Sequence, residues 1–157
     1  MSSPKQSLIA DLGLAIMRWQ DQTQKFDELV GRIYALSASE RLCLSFLMNG
    51  PQTASAIARE IQLTPAAVTT LLDRLERRSF VRRQADPADR RKVMVVADAA
   101  ALALARDVYA PMAEAGAAML DQFTLDELKV MQRVVAAAMA VQEKAAAELE
   151  ARGTARA

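Results

Sequence analysis

Residues 64–97 read TPAAVTTLLDRLERRSFVRRQADPADRRKVMVVA, and the change of period inside this stretch decides the fold. Thr64 followed by Pro65 marks a helix start, because the threonine oxygen accepts a first-turn N–H and proline already holds a helical φ. Val68, Leu71, Leu72 and Leu75 then recur at helical spacing and define one buried stripe. After Ser79 the period shortens. Phe80–Gln84 and Val93–Val96 read as two short strands, joined by the polar, proline-containing loop from Ala85 to Lys92.

Upstream, Ser37 and Glu40 have capping-box spacing and predict a helix from about residue 38 to 49, stopped by Asn49, Gly50 and Pro51. Thr53 is placed to cap a short helix whose inner face is Ala54, Ile57, Ala58 and Ile61. Helix, short helix, tight turn, helix, strand, charged loop, strand is the winged form of the helix-turn-helix, and it spans residues 38–97.

Outside that lobe the pattern is helical. Leu8, Leu12, Ile16, Trp19, Phe26, Leu29, Val30 and Ile33 recur every three or four residues, so residues 6–36 predict one long amphipathic helix. At about 45 Å it exceeds what a domain of this size needs for its own core. Downstream, Asp98 is expected to cap a fifth helix that Pro111 kinks. Thr124 and Glu127, flanked by Phe123 and Leu128, start a sixth, and the tail after Leu149 is expected to fray. The fold class is therefore mainly α with a small β-hairpin wing. Residues 1–157 form a single unit, with a winged-helix lobe over 38–97 and a helical lobe over 6–36 and 98–149.

The chain has 157 residues, 52% hydrophobic and 25% charged, enough to bury a core in one globular unit. No stretch approaches the roughly 18 uninterrupted apolar residues of a membrane span, so a cytoplasmic protein is expected. The single cysteine, Cys43, excludes an internal disulfide and fits a reducing compartment. Histidine is absent, which removes the usual general base and the commonest transition-metal ligand together. The five glycines match no phosphate-cradling pattern. Neither catalysis, nor a metal site, nor a cofactor is expected.

Net charge is only +1, but the segment from Asp73 to Lys92 carries eight basic residues against four acidic ones. A basic segment lying on a winged helix points to double-stranded DNA. The major groove is just wide enough for a helix, and the helix beginning at Thr64 is the one that enters it. Pro65 and Ala66 are small and permit close approach; Thr69, Thr70, Arg74 and Arg77 share the face that the core leaves unused. A solvated surface has the same composition, so the loop carries more weight. In DPADRRKV, residues 86–93, Asp89 stands two residues before Arg91 and is placed to brace its guanidinium. A braced arginine at a loop tip suits the negative potential of a narrow minor groove.

Residues 36–98 resemble the MarR family of bacterial regulators, most clearly in LTPAAVTTLLDRLERRSFVRR and DPADRRKVMVVAD. The resemblance implies that the helix with Thr69 and Thr70 reads the major groove, that Arg91 enters the minor groove oriented by Asp89, and that Arg90 and Lys92 serve the phosphates. It also implies a homodimer built from the first and last helices, binding a pseudo-palindromic operator, most often as a repressor. Two positions depart from the family pattern: Ser79 replaces a helix-ending glycine, and Asp98 stands where a threonine cap is usual. Many relatives take a small aromatic effector, and Trp19, Phe26, Met48, Met112 and Met119 suit such a pocket, although core packing explains the same residues and is the favoured reading for each. Cys43, between Leu42 and Leu44, is expected to be a buried small hydrophobe. The alternative function is a winged-helix protein-interaction module that leaves Arg90 and Arg91 merely solvated.

Overall fold

The computed structural model describes residues 3–154; residues 1, 2 and 155–157, which end the expected 1–157 unit and its fraying tail, lie outside the described residues. The elements run α1 (Pro4–Ile33), α2 (Ala38–Leu47), α3 (Ala54–Glu60), α4 (Pro65–Arg77), β1 (Val81–Ala85), β2 (Val93–Ala97), α5 (Ala99–Leu104), α6 (Ala110–Leu120) and α7 (Leu125–Thr154). The chain divides into two compact units, Met1–Ala105 and Arg106–Ala157.

Helix starts follow the side-chain caps. The Ser37 hydroxyl accepts the Glu40 N–H at 3.2 Å while the Glu40 carboxylate accepts the Ser37 N–H at 2.7 Å, closing the capping box of α2. Thr53 accepts from the Ala56 N–H at 3.1 Å, and Thr64 from the Ala67 N–H at 3.3 Å. Thr124 and Glu127 bond reciprocally ahead of α7. Asp98 corrects the sequence reading: it occupies the cap position of α5 but makes no cap bond. Its carboxylate instead lies 3.9 Å from Arg82 Nε, at ion-pair distance from the neighbouring strand.

Helix ends follow one motif three times. After α1, α3 and α4 the chain turns through Ala35, Gln62 and Ser79, at φ of 49°, 53° and 55°. The next N–H in each case, from Leu36, Leu63 or Phe80, donates back to the carbonyl of Gly31, Ala58 or Leu75. None of the three turning residues is a glycine, so each carries left-handed strain of roughly 1 kcal/mol. Burial of the following side chain holds two of them in place, since Leu36 and Phe80 both lie in the core. The α4 end therefore has the left-handed form despite the serine.

The core of the first unit is where the apolar stripes converge. Val68, Leu71, Leu72 and Leu75 of α4 are buried with Ile57 and Ala58 of α3, Cys43, Leu44 and Leu47 of α2, and Val81 and Val95 of the hairpin. Ala54, expected on the inner face of α3, is exposed. β1 and β2 pair antiparallel with Val81 opposite Ala97 and Ala85 opposite Val93. Gln52 adds a third, single-residue rung: its N–H donates to the Val95 carbonyl at 3.0 Å, and the Val95 N–H returns the bond at 2.7 Å. The hairpin base is thereby fastened to the turn between α2 and α3.

The long helices are less enclosed. On α1 only Val30 and Gly31 are buried, whereas Leu8, Leu12, Trp19 and Ile33 are exposed. The second unit buries none of its described residues, and Met131, Val134, Val135 and Val141 stand open on α7. The interruption expected at Pro111 is a π-helical turn over Ala105–Tyr109. Proline has no N–H for the Asp107 carbonyl, and the ladder re-registers ahead of it. α7 runs past Leu149 to Thr154, further than its apolar pattern indicates. Glu148 sits between Lys144 at 4.0 Å and Arg152 at 3.8 Å, pairs one turn apart that favour helix without burial.

Candidate nucleic-acid interface

Two exposed features of the first unit share one chemistry: the outer face of α4 and the loop between β1 and β2. Burial of Val68, Leu71, Leu72 and Leu75 turns Pro65, Ala66, Thr69, Thr70, Arg74 and Arg77 outward, and all six are exposed. The threonine hydroxyls are turned back on the helix, Thr69 donating to the Pro65 carbonyl at 3.0 Å and Thr70 to the Ala66 carbonyl at 3.2 Å. Arg77 lies along the helix with Nε donating to the Asp73 carbonyl at 3.3 Å.

The loop is held by its own aspartates. The Asp86 N–H donates to the Lys92 carbonyl at 3.0 Å and the Lys92 N–H to the Asp89 carbonyl at 2.8 Å, which closes the loop's neck. Asp86 accepts from the Ala88 N–H at 2.7 Å, a side-chain turn that shapes the Pro87 corner. Asp89 Oδ1 accepts from the Arg91 N–H at 3.1 Å and from Arg91 Nε at 3.4 Å. Arg91 is thus braced at its stem while its side chain is 94% exposed, with Arg90 and Lys92 exposed beside it.

The MarR family model matches residues 36–93, the stretch that contains α2, α3, α4, β1 and this loop. The chain is 33% identical over 95 residues to the HTH-type transcriptional regulator YcgE of Bacillus subtilis, an alignment covering 60% of this chain and 62% of that relative. Over residues 36–93 the chain is similar to the MarR family. Among solved structures, the MarR-like fold is shared with Staphylococcus aureus MepR at 20% identity. MepR bound to ethidium bromide gives a TM-score of 0.61 over 82% of this chain and 94% of that one. A MepR point mutant bound to an oligodeoxyribonucleotide gives 0.54 over 82% and 95%.

In this chain the two features are tied together by residues that sequence reasoning leaves unassigned. Arg83, on β1, donates from its backbone N–H to Glu76 Oε1 at 3.0 Å, from Nη1 to Glu76 Oε2, and from Nη2 to Asp73 Oδ1 at 2.7 Å. One guanidinium therefore clips the wing to α4. Arg78 donates from its terminal nitrogens to the carbonyls of Tyr34 and Ala35, with its guanidinium carbon 5.0 Å from the centre of the Phe80 ring, which ties the end of α4 to the end of α1. The one signal for Arg83 in the sequence is strand alternation, which puts it on the same face as the core residue Val81.

Glu40 is the third tie. Among the described residues it is the one buried charged side chain, 1% exposed, and its Oε1 accepts from Arg74 Nε at 2.7 Å. Burial pushes its carboxyl up. The Ser37 backbone N–H, the Arg74 guanidinium and the Ser37 hydroxyl outweigh burial and hold it below the ordinary carboxylate value. Arg74 thus does two things at once: Nε neutralises the core carboxylate, and the rest of a side chain that is 52% exposed faces solvent.

Cys43 is fully buried, and its thiol is pushed up to about 12, first by burial and second by the Glu40 charge. A thiol held so far from its thiolate is a packing group. Among the described residues no cluster of Cys, Asp or Glu is arranged to hold a metal ion, and no helix is long and apolar enough to cross a membrane.

Proposed function

We propose that this chain is a sequence-specific regulator of transcription that binds double-stranded DNA as a homodimer and represses by occluding a pseudo-palindromic operator. The single observation that carries the reading is the Asp89-braced, solvent-facing Arg91 on a wing clipped by Arg83 to the exposed face of α4. A preorganised cation at a loop tip suits the minor groove, while a helix with small and hydroxylated outer residues suits the adjacent major groove. Thr69 and Thr70 meet base edges, Asp89 positions Arg91, and Arg77, Arg90 and Lys92 meet phosphates. Arg74, held by Glu40, presents its terminal nitrogens to the backbone. The oligodeoxyribonucleotide on MepR supports this reading by likeness of fold.

The dimer reading rests on the open apolar faces of α1 and α7, which a second copy covers. The winged-helix lobe over 38–97 then does the binding, and the helices over 6–36 and 98–149 do the pairing. Sedimentation equilibrium at micromolar concentration is expected to give twice the protomer mass; a particle of 17.1 kDa refutes the dimer. A small aromatic effector is proposed on the likeness to ethidium-bound MepR, and it releases DNA only in so far as it prefers one state of the dimer over the other.

The test is selection from a random duplex library at physiological salt, run in parallel with Arg91→Ala. The expected result is a two-fold symmetric motif that the variant binds more weakly, on the order of 30-fold at about 1 kcal/mol for each of two half-sites. Absence of enrichment, together with salt-insensitive affinity for duplex DNA, refutes the reading and leaves a protein partner for the lobe.

A further inference from the structure

We propose that α4 selects its operator through methyl groups, with Thr69 and Thr70 packing on thymine C5-methyls in the major groove and no arginine-to-guanine readout in its first two turns. The inference rests on the function proposed above and specifies the chemistry of the site it binds.

Residues near the start of a recognition helix meet base edges. Here those residues are Pro65, Ala66, Thr69 and Thr70, and none carries a forked donor. The two hydroxyls would ordinarily donate to bases, but each hydrogen is engaged inside the helix, at 3.0 Å to Pro65 O and 3.2 Å to Ala66 O. What remains on each threonine is a methyl group and an oxygen that accepts. Guanine shows the major groove two acceptors, N7 and O6, and finds no donor on this face. Thymine shows a methyl, which pairs with a methyl; adenine and cytosine show amino groups, which the threonine oxygens accept.

The arginines do not supply the missing donors. Arg78 is turned to the carbonyls of Tyr34 and Ala35, and Arg74 is anchored through Nε to Glu40. Arg77 starts more than two turns after Thr69 and lies against the Asp73 carbonyl. The leading half of the reading face is apolar and weakly accepting throughout. Its selected half-sites should therefore place thymines, partnered by adenine, under the start of α4.

Uracil in place of thymine removes the C5-methyl alone and leaves the minor-groove edge that faces Arg91 unaltered, which isolates α4 from the wing. The duplex obtained by selection is remade with deoxyuridine at one thymidine position of each half-site in turn, and titrated with wild type, Thr69→Ser, Thr70→Ser, Thr69→Val and Thr70→Val. At one or two positions the wild type should bind about fourfold more weakly per methyl lost, the worth of one buried methyl group. The serine variant at the matching residue should erase that difference, and the valine variant, which keeps the methyls and loses the hydroxyl, should retain it. Equal affinity for thymine and uracil at every position overturns the inference. So does discrimination that survives both serine variants, or that is lost equally in the valine ones. A wild type that selects no sequence overturns the proposed function itself; a selected motif blind to uracil overturns the methyl readout alone.

Discussion

Replacing Arg74 with methionine keeps the bulk of the side chain and deletes the one cation that pairs with Glu40. Glu40 is 1% exposed and its carboxylate keeps the Ser37 N–H on Oε2, so a charge remains in the core with Oε1 deprived of its partner. A hydrogen bond to a charged group contributes roughly 1.5–3 kcal/mol. Because Arg74 is 52% exposed, water reaches part of the vacated space, and the loss settles near the lower half, about 2 kcal/mol. For a chain of this length that is a fall in Tm of about 4–8 °C. The pH dependence carries a definite sign. In the wild type the Glu40 carboxyl is depressed, so its stabilisation is fully present above its unfolded value near 4.5 and is lost as pH falls through the folded value. In Arg74→Met the upward push of burial faces Ser37 alone, so the folded value rises and protonation relieves the variant first. The gap between the two proteins is therefore widest at neutral pH and narrows toward about pH 4. Urea unfolding followed by circular dichroism, at one fixed protein concentration, reads it. Adding Glu40→Gln to the variant should recover part of the loss, since glutamine still accepts the Ser37 N–H without the charge. A pH-independent gap, a loss below about 0.5 kcal/mol, or a further loss on adding Glu40→Gln refutes the reasoning.

Ser79→Gly removes the Cβ from a residue at φ 55° and should raise stability by about 1 kcal/mol in the same urea experiment, offset in part by the freedom glycine gains when unfolded. A loss of stability would show that the Ser79 side chain has a role its geometry does not display. Cys43, fully buried with its thiol pushed up to about 12, should not react with a colourimetric disulfide reagent at mildly alkaline pH until urea unfolds the protein. Stoichiometric reaction in the native state would contradict its role as a packing group.

Much of the first unit is legible in the sequence because its signals are local. Ser37 with Glu40, Thr53, and Thr64 with Pro65 each declare a helix start within four residues, and the α4 stripe predicts burial at all four of its positions. The loop motif likewise contains its own brace, since Asp89 and Arg91 are near neighbours in the chain. The features that escaped involve distance or competition. Glu40 and Arg74 are 34 residues apart, and the local capping role of Glu40 gave no hint of a second partner. Gln52 pairs with Val95 through backbone alone, and one rung of sheet leaves no alternation to detect. Asp98 reads as a cap because caps are local, whereas the hairpin brings Arg82 within reach of the same carboxylate. The continuation of α7 to Thr154 depends on exposed charge pairs, which an apolar pattern does not register.

Three arginines of the basic segment, Arg74, Arg78 and Arg83, have partners inside the fold. Under the proposed function this sets the background against which an operator stands out. In that role, cations already engaged within the protein displace few counterions from the duplex, so affinity for arbitrary sequence stays low and its dependence on salt is shallow. Discrimination is a difference between two affinities, and weakness on the unwanted side widens it. On that reading the contacts that stiffen the lobe also shorten its stays on the wrong DNA.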